Sequence, residues 1–372
     1  MAIRARWVLL SVGFSLMMLA LSAGEWRRAY DYRFPQAERL SSYEQADAFL
    51  QKFPFSSVPP DRLITGVYIL AVKFKSATEV GLTGIVWQEY TEYQYEKIKE
   101  RGFLLPEEVD IGNLVEPGKL FFKEKRRRYF IGWNFDSTVR QRLNYRTFPL
   151  DNQLVRLRLW PKDFNSNLVL YPDLNSYVDT SDGSVFGIDV ANIVMGEWRI
   201  KETFFSYQIA NYGTDWGVFD RIPTEGFPDL TFNILMERRP IAAAVAHIVP
   251  LTTVFIIIFG LLLLVTGNEK TASRRGYNTA SFISSISAMF FVLMIAHISL
   301  RRDFPGSGLI FLETFYLLAY AVILLVAVNA YLFNLDDVPH LKWIQANDSS
   351  IPKLLYWPLV TTGVYLISRL SL

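Results

Sequence analysis

The pattern of apolar and polar positions along the chain changes near Arg239. Before this residue, charged side chains recur every few positions, and short β-rich runs such as residues 66–75 alternate between apolar and polar side chains. This alternation is typical of strands with one buried face. Many short strands separated by turn residues predict an antiparallel β-sandwich over residues 63–239. The predicted strands are residues 66–75, 84–90, 119–123, 128–134, 138–146, 153–160, 167–171, 197–209 and 229–238.

Two local signals refine this region. Ser41-Ser42, followed by a glutamate and a glutamine, is typical of a helix N-cap with a capping box. It predicts a short amphipathic helix over residues 42–53, inside an N-terminal extension of residues 25–62. The mostly basic run of residues 123–128 predicts a solvent-exposed hairpin tip.

Four long apolar runs follow Arg239. Each is long enough, at about 1.5 Å per residue, to cross a hydrocarbon core of roughly 30 Å as a helix. They predict an all-α transmembrane domain of four helices over residues 240–372. The predicted helices are about residues 240–266, 281–300, 309–333 and 352–370.

The N-terminus has the order of segments found in secretory signals. Arg4 and Arg6 precede an apolar run from Trp7 to Leu21, which small residues follow. This order predicts a signal peptide over residues 1–24. An uncleaved anchor helix is the alternative, and the sequence leaves open whether the segment is removed. Either way, we expect the β-rich domain to be exported.

Charges in the loops predict the orientation of the predicted helices. Four spans after an exported domain put that domain and the C-terminus on the extracellular or periplasmic side. The 267–280 loop carries three basic residues against one glutamate, which favours the cytoplasmic side by the positive-inside rule. The 334–351 loop is not basic and adds no support. The sequence predicts a multi-pass protein of the cell (inner) membrane.

The composition of the chain excludes several kinds of chemistry. The chain has 372 residues and a formal net charge of +2, so nothing indicates a nucleic-acid partner. It has no cysteine, which excludes disulfides and cysteine-based metal or redox chemistry. The three histidines are scattered, and no phosphate-binding glycine loop, nucleophile elbow or acid–base pair is recognisable. We therefore expect no enzyme activity, no metal site and no cofactor.

Several motifs occur in an order and spacing that resemble one known family. Residues 148–153, Phe-Pro-Leu-Asp-Asn-Gln, are similar to the Phe-Pro-x-Asp-x-Gln loop of the pentameric ligand-gated ion channels, the superfamily of the nicotinic receptor and its bacterial relatives. Residues 196–202 resemble the strand before the ligand-capping loop of that family. Residues 229–240 resemble its final strand and the start of its first membrane helix.

Prolines and missing cysteines extend the resemblance. Pro240 and Pro250 repeat the family's pair of prolines ten residues apart, and Pro305 lies where the family has a proline after the pore helix. The two loop cysteines of the animal members would fall at Gln141 and Val155, so the chain looks like the bacterial type. The resemblance implies a homopentamer in a lipid bilayer, with an immunoglobulin-like sandwich outside. It also implies that an unidentified small-molecule or ionic agonist opens a central pore for small inorganic ions.

The resemblance implies a ligand site between subunits, lined by aromatic side chains. Trp160 resembles the family's binding-site tryptophan, although it lies two residues early, and residues 207–227 are rich in rings. Aromatic rings on a loop can hold a cation or cover an apolar ligand. Packing in the sandwich core is the alternative for any single ring. The candidate ligand-binding residues are Trp160, Tyr207, Tyr212, Trp216 and Phe219.

The loop that contains Phe148 and Pro149 is the candidate for coupling the domains. Proline forces an extended or turned backbone before it, and Asp151 then presents a carboxylate. Arg238 and Arg239 lie where the last strand meets the first membrane helix. A bidentate carboxylate–guanidinium pair there would transmit movement from one domain to the other. An ordinary surface turn is the alternative. Pro305 completes the set of candidate coupling residues.

The second apolar run differs from the others because serines interrupt it. Polar groups at membrane depth cost free energy unless they face protein or water. Positions spaced by three and four residues share one helical face, and this face is small and polar at its inner end and apolar further out. A hydrophobic constriction of this kind is a requirement of dewetting gates. A helix–helix contact face is the alternative. The candidate pore-lining residues are Ser284, Ala288, Phe291, Ile295 and Ile298.

Three functions therefore compete. A gated pore explains the serine-bearing face, the proline pair and the candidate coupling loop together, and it is the function we expect. A receptor that signals without conducting ions would not need the polar face. A membrane-anchored enzyme would need a catalytic constellation. Residues 276–283 contain no carboxylate, which favours anions or weak selectivity, whereas Asp303 favours cations, and the sequence leaves selectivity open.

Overall fold

A computed structural model describes most of the chain, and its described residues form two compact units. The described residues are 2–30, 39–53, 60–109, 118–163, 167–193, 196–210, 227–275, 278–335, 344 and 348–372. The β unit comprises those within 33–143 and 152–238. The helical unit comprises those within 1–32, 144–151 and 239–372.

Two sheets form the β unit. One has five strands in the order β4-β5-β2-β1-β7, and the other has four in the order β3-β6-β9-β8. All neighbouring pairs are antiparallel except β1 and β7. The strands are β1 (Asp61–Phe74), β2 (Glu79–Thr91), β3 (Phe103–Leu104), β4 (Gly118–Lys125), β5 (Arg128–Arg140), β6 (Asn152–Pro161), β7 (Leu168–Pro172), β8 (Trp198–Ala210) and β9 (Phe227–Arg238). Two short helices accompany them, α2 (Tyr43–Lys52) and α3 (Glu92–Lys97).

Side chains of both sheets share one hydrophobic core. Every second residue of β2 is buried, because successive side chains of a strand point to opposite faces of the sheet. Val67 and Val86 of the five-stranded sheet are fully buried in the same cluster as Leu157, Phe205 and Phe232 of the four-stranded sheet. Full burial of one such side chain contributes about 1.5–3 kcal/mol relative to exposure, so this cluster is the main source of stability in the unit.

A glycine is required where β1 faces the indole of Trp87. A Cβ atom on Gly66 would lie 2.1 Å from Cζ2 of Trp87, closer than any real contact. The Trp87 indole donates a hydrogen bond to Oδ2 of Asp173, 2.8 Å away, which fixes the ring in that position. We therefore expect any side chain at position 66 to displace Trp87.

Several local predictions are confirmed, and two need correction. Helix α2 begins after Ser42, whose hydroxyl accepts from the amide of Gln45. The basic run lies at the exposed β4–β5 hairpin, where Arg126 and Arg127 have φ values of 52° and 58°. The predicted strands 128–134 and 138–146 are wrong as separate strands: one strand, β5, runs without interruption to Arg140, paired with β2 along its length.

The helical unit contains five long helices. They are α1 (Ala2–Tyr30), α5 (Val249–Leu264), α7 (Thr279–Asp303), α8 (Phe311–Phe333) and α9 (Ser350–Ser371), with the shorter α4 (Pro240–Ala243) and α6 (Glu269–Arg275) between them. A π-helical turn, Ala244–Ile248, joins α4 to α5. Pro250 has no N–H to donate to the carbonyl of Ala246, which accounts for the irregular turn just before it.

Four helices of the described residues are long and apolar enough to cross a membrane, and they indicate a membrane protein. They are Ala5–Tyr30, Pro240–Leu264, Thr279–Asp303 and Phe311–Phe333. Three match predicted spans. The fourth is the N-terminal segment, which forms one continuous helix through the region expected to be cleaved. The last predicted span is helical as α9, but it is more polar and is not among the four.

A polar clasp joins the end of α5 to the start of α9. Asp348 accepts hydrogen bonds from the hydroxyl of Thr266 at 2.7 Å and from the amide of Gly267 at 2.7 Å. The ammonium of Lys353 donates to the carbonyl of Val265 at 2.6 Å. Charged groups thus satisfy backbone groups that the end of α5 leaves open.

Candidate functional site

Helix α7 carries the candidate pore-lining residues, and its start is set by a side-chain cap. The side chain of Asn278 accepts from the amide of Ala280 at 2.8 Å, which satisfies a donor left open at the first turn. The helix then continues without proline or glycine to Asp303. One rigid element therefore positions all five candidate residues.

Two faces of α7 differ in burial. Its buried residues are Phe282, Ile286, Leu293 and Leu300, spaced as one helical face that packs within the chain. All five candidate pore-lining residues are exposed; they are Ser284, Ala288, Phe291, Ile295 and Ile298. Ile295 retains 66% of its surface exposed. The described part of the chain thus leaves the predicted face uncovered, and pore lining stays a prediction.

Serine hydroxyls lie mostly on the surface of α7. Ser281, Ser284, Ser287 and Ser299 are exposed, and Ser285 is half-buried with its hydroxyl donating to the carbonyl of Ser281 at 2.9 Å. Exposure of these hydroxyls to hydrocarbon would cost free energy, so they favour water or another protein chain as neighbour.

Glu313 forms the centre of a charged cluster near the end of α7. Its side chain is 3% exposed, and it accepts from Arg301 Nη1 at 3.0 Å and from the amide of Ile310 at 3.0 Å. Nε2 of His297 lies 3.6 Å from its other oxygen. The ring of Tyr316 stacks on His297 at 5.2 Å. This cluster connects α7 to the start of α8.

The candidate coupling loop packs among the helices of the helical unit. The ring of Phe148 lies 4.6 Å from that of Phe304 and 6.2 Å from the imidazole of His247. Tyr145 contacts Phe304 from the same loop, with centroids 4.8 Å apart. The amide of Phe311 donates to the carbonyl of Arg146 at 2.8 Å. Phe304 directly precedes Pro305, so the loop contacts the connection between α7 and α8.

The candidate coupling loop belongs to a different unit from the two strands that it joins. Residues 144–151 belong to the helical unit, whereas β5 and β6 on either side of them belong to the β unit. Asp151, at the end of the loop, is 1% exposed, and the Phe148–Pro149 peptide bond is cis. A surface turn, the alternative considered from the sequence, does not describe a loop whose rings are buried.

The structure assigns Arg238 contacts within the β unit. Its guanidinium pairs with Glu197 and lies 4.1 Å from the centre of the Trp198 ring. Arg239 is exposed and belongs to the helical unit. Asp151 and Arg238 fall in different units, and the predicted pair between them stays a prediction.

The candidate ligand-binding residues are not brought together by the described part of the chain. Tyr207 is buried, its hydroxyl donates to the carbonyl of Leu170 at 2.9 Å, and its ring stacks on Phe49 at 5.1 Å. Burial raises the pKa of this phenol. These contacts match the core-packing alternative. Trp160 is half-buried on β6, opposite Leu104. The other three residues lie outside the described residues: Tyr212, Trp216 and Phe219.

Sequence patterns assign no role to Tyr145, Phe304 and Glu313, which take part in these contacts. Phe304 nevertheless lies beside Pro305, and Glu313 is a lone carboxylate in an apolar run. A lone charge in an apolar run is the sequence signal that marks Glu313 as a candidate functional residue.

No protein-family model matches the chain, and no curated protein matches it. Within the part of the chain that the structure describes, no group of three histidine, aspartate or glutamate side chains is arranged to hold a metal ion.

Proposed function

We propose that the chain is one subunit of a homopentameric ligand-gated ion channel in the cell (inner) membrane. Agonist binding in the extracellular or periplasmic β unit opens a central pore for small inorganic ions. The motif resemblance suggests this function, and the structure supports it with apolar helices, a two-sheet β unit and an exposed polar helix face. The two sheets and their shared core fit an immunoglobulin-like sandwich.

The observation that carries the proposal is the distribution of burial on α7. The residues that pack within the chain are large and apolar, whereas the opposite face exposes Ser284 and Ala288 and then Phe291 and Ile295. A helix surrounded by lipid favours the reverse arrangement, with apolar side chains outward and small polar ones at helix contacts. An exposed face of this composition suits a water-filled axis with a hydrophobic constriction.

A ring of subunits follows from the same face. One helix cannot enclose water, so a polar face at membrane depth needs copies arranged around an axis. The family resemblance supplies the number five. The exposed remainder of α7 is then available for contact with neighbouring subunits.

The candidate coupling loop supports gating as well as conduction. It connects two strands of the β unit while its rings contact residues beside α5, α7 and α8. Movement of the strands would be passed to Phe304, which follows directly after the proposed pore helix. The aromatic agonist site between subunits is proposed from the motif resemblance.

Current through reconstituted protein tests the proposal. We expect purified full-length chain in planar bilayers to give single-channel currents when candidate ligands, pH and divalent ions are varied, and we expect native mass measurement in detergent to give a pentamer. A monomer or dimer as the only species would contradict the ring. A stable pentamer without current under any condition would instead support a receptor whose exposed serines serve helix contacts.

Ser284→Phe provides a sharper test at the proposed inner end of the pore. A bulky side chain there should reduce unitary conductance by tenfold or more if Ser284 faces the axis. Ile286→Phe is not a clean control because Ile286 is buried, so the control is Ile283→Phe, which is exposed and points about 100° away from Ser284 around the helix. Equal effects of the two changes would contradict the assigned axis.

A further inference from the structure

Helix α1 has small and polar residues on its buried face and large apolar residues on its exposed face. Ser15 and Ser22 are buried, and Ser11 and Trp26 are half-buried. These positions are spaced by four or seven residues and therefore form one stripe. The exposed surface carries large apolar side chains, among them Leu9, Leu16 and Leu19. Such an arrangement is typical of a helix that packs against another helix within lipid.

The stripe contacts α9 at both ends. The hydroxyl of Ser11 donates to the carbonyl of Leu354 at 2.6 Å. Near the other end, the Trp26 indole donates to Oγ of Ser368 at 2.8 Å, and Glu25 pairs with Arg369 at 3.2 Å. Residue numbers rise together along both helices, so α1 and α9 are parallel. The contacts extend over most of the length of α9.

The parallel arrangement agrees with the proposed topology. The β unit follows the end of α1, and α9 ends close to the C-terminus. Parallel spanning helices place their C-terminal ends on the same side of the membrane. The proposed topology, derived from the other helices, puts the β unit and the C-terminus on that same side. Arg4 and Arg6 at the start of α1 then lie on the cytoplasmic side, as the positive-inside rule favours.

Cleavage of a signal peptide would remove the contacts just described. The expected signal covers residues 1–24, and its end falls inside the stripe, next to Ser22, which is 1% exposed. Removal would also separate Trp26 from its helix. Trp26 contacts α8 too, with its ring edge-on to Phe311 at 6.4 Å and to Phe315 at 6.2 Å.

We propose that α1 is retained as a membrane-spanning helix, docked on α9, so that each chain has five spans and a cytoplasmic N-terminus. α1 provides partners for two polar residues of α9. Ser368 is fully buried and accepts a hydrogen bond from the Trp26 indole. Arg369 pairs with Glu25, although its own side chain stays 59% exposed. Without α1, Ser368 would lose its cover and Arg369 its counter-charge, and unpaired polar or charged groups at membrane depth cost free energy.

Intact mass of the purified full-length protein gives the first test. We expect the mass of the complete chain, 42.8 kDa before any modification of its terminus. A mass that corresponds to loss of residues 1–24, or of a similar segment, would overturn the proposal. The measurement does not depend on ion conduction, so a truncated chain that conducts would contradict retention alone.

Cross-linking tests the docking. Because the chain has no cysteine, Trp26→Cys with Ser368→Cys introduces the only thiol pair. We expect a short bis-maleimide to join them within one chain in native membranes, as judged by mass spectrometry of linked peptides. The control is Gly24→Cys with Ser368→Cys, because Gly24 lies at a similar depth on the exposed face.

The control pair should link at least tenfold less. Equal linking of the two pairs, or none with either, would overturn the docking. A full-length, cross-linked chain that never conducts would leave this inference intact and contradict the channel proposal.

Discussion

Phe148 packs against Phe304 with ring centroids 4.6 Å apart and an interplanar angle of 55°. Phe148 lies in the loop that joins β5 to β6, whereas Phe304 is the residue that follows α7. The contact therefore links a connection between strands to the end of the proposed pore helix. Within the proposed channel, we expect this contact to transmit movement of the loop to the pore helix.

Removing either ring should weaken the coupling of agonist binding to opening. An aromatic pair is worth about 0.5–1.5 kcal/mol beyond its buried area, which corresponds to a change of roughly 2- to 12-fold in an equilibrium constant. We expect Phe148→Ala and Phe304→Ala each to lower open probability by at least this factor, with a double variant that is less affected than the sum of the two single effects. Single-channel recording measures the change, with the exposed ring variant Tyr93→Ala as control.

Additivity of the two changes would argue that the rings do not act on opening through each other. Unchanged opening in Phe148→Ala would remove the loop from the coupling mechanism. Because burial of Phe148 also stabilises the protein, assembly of each variant is checked by size-exclusion chromatography before recording.

Neutralising Asp151 tests the charge of the same loop. Asp151 is buried, and burying a carboxylate costs free energy unless it is paired or hydrogen-bonded. We expect Asp151→Asn to leave agonist affinity nearly unchanged and to suppress opening. Radioligand or fluorescence binding in parallel with current recording separates the two effects. A variant that opens normally would remove this role for Asp151.

Accessibility of single cysteines tests the faces of α7. We expect cysteines at positions 284, 288, 291, 295 and 298 to react with aqueous thiol reagents and to block current. Cysteines at 286 and 293 should not react, because Ile286 and Leu293 pack within the chain. The natural absence of cysteine makes the background clean. Block that is equal at all positions would end the pore-lining assignment.

Tyr207 and the candidate ligand-binding residues that follow it should respond differently to substitution. Tyr207 is buried and hydrogen-bonded, so Tyr207→Ala should destabilise the β unit by about 3–5 kcal/mol, and Tyr207→Phe by about 0.5–1.5 kcal/mol. Thermal unfolding measures both changes in stability.

Tyr212→Ala and Trp216→Ala should weaken agonist potency without loss of assembly. Dose–response curves measure the potency. Unchanged potency would identify Tyr212 and Trp216 as packing residues only.

Local patterns account for what the sequence predicts well. Alternation along residues 66–75 predicts β1, and the serine at position 42 predicts the start of α2, because each depends on neighbours within a few residues. Residues 128–146 show the limit: the pattern divides them into two strands, whereas pairing with β2 holds one strand to Arg140. Strand ends depend on partners distant in sequence.

The same limit applies to the candidate sites. The composition of residues 1–24 fits both a signal peptide and a spanning helix. The serines on one face of α1 are explained by packing against α9, which is distant in sequence. Tyr207 is one ring among several in the sequence, yet its hydroxyl reaches Leu170 in the core. For α7, helical spacing alone predicts which residues share a face, since that property is local.

Charge near the ends of α7 bears on ion selectivity. No carboxylate occurs in residues 276–283, just before and at the start of α7. At the other end, Arg301 donates to the buried Glu313 and to the carbonyl of Gly308 at 3.0 Å each, so its charge is largely offset. Arg302 and Asp303 are exposed. In a ring of subunits each exposed charge is repeated in every subunit. In a narrow pore, the interaction energy of such a charge with a passing ion is larger than the roughly 1 kcal/mol of a close charge pair in bulk water.

We therefore expect a pore that is weakly selective or prefers anions, with Arg302 contributing more than Arg301. Under a chloride gradient the reversal potential should move toward the chloride equilibrium potential, and Arg302→Glu should shift it toward that of sodium. Arg301→Gln should have a smaller effect, because the charge it removes is already paired. Arg127→Glu, on the exposed hairpin of the β unit, is the matched charge reversal and should leave the reversal potential unchanged. A reversal potential that follows sodium in the unmodified chain would contradict the anion preference while leaving the pore-lining face of α7 untouched, because that face is tested separately by thiol access.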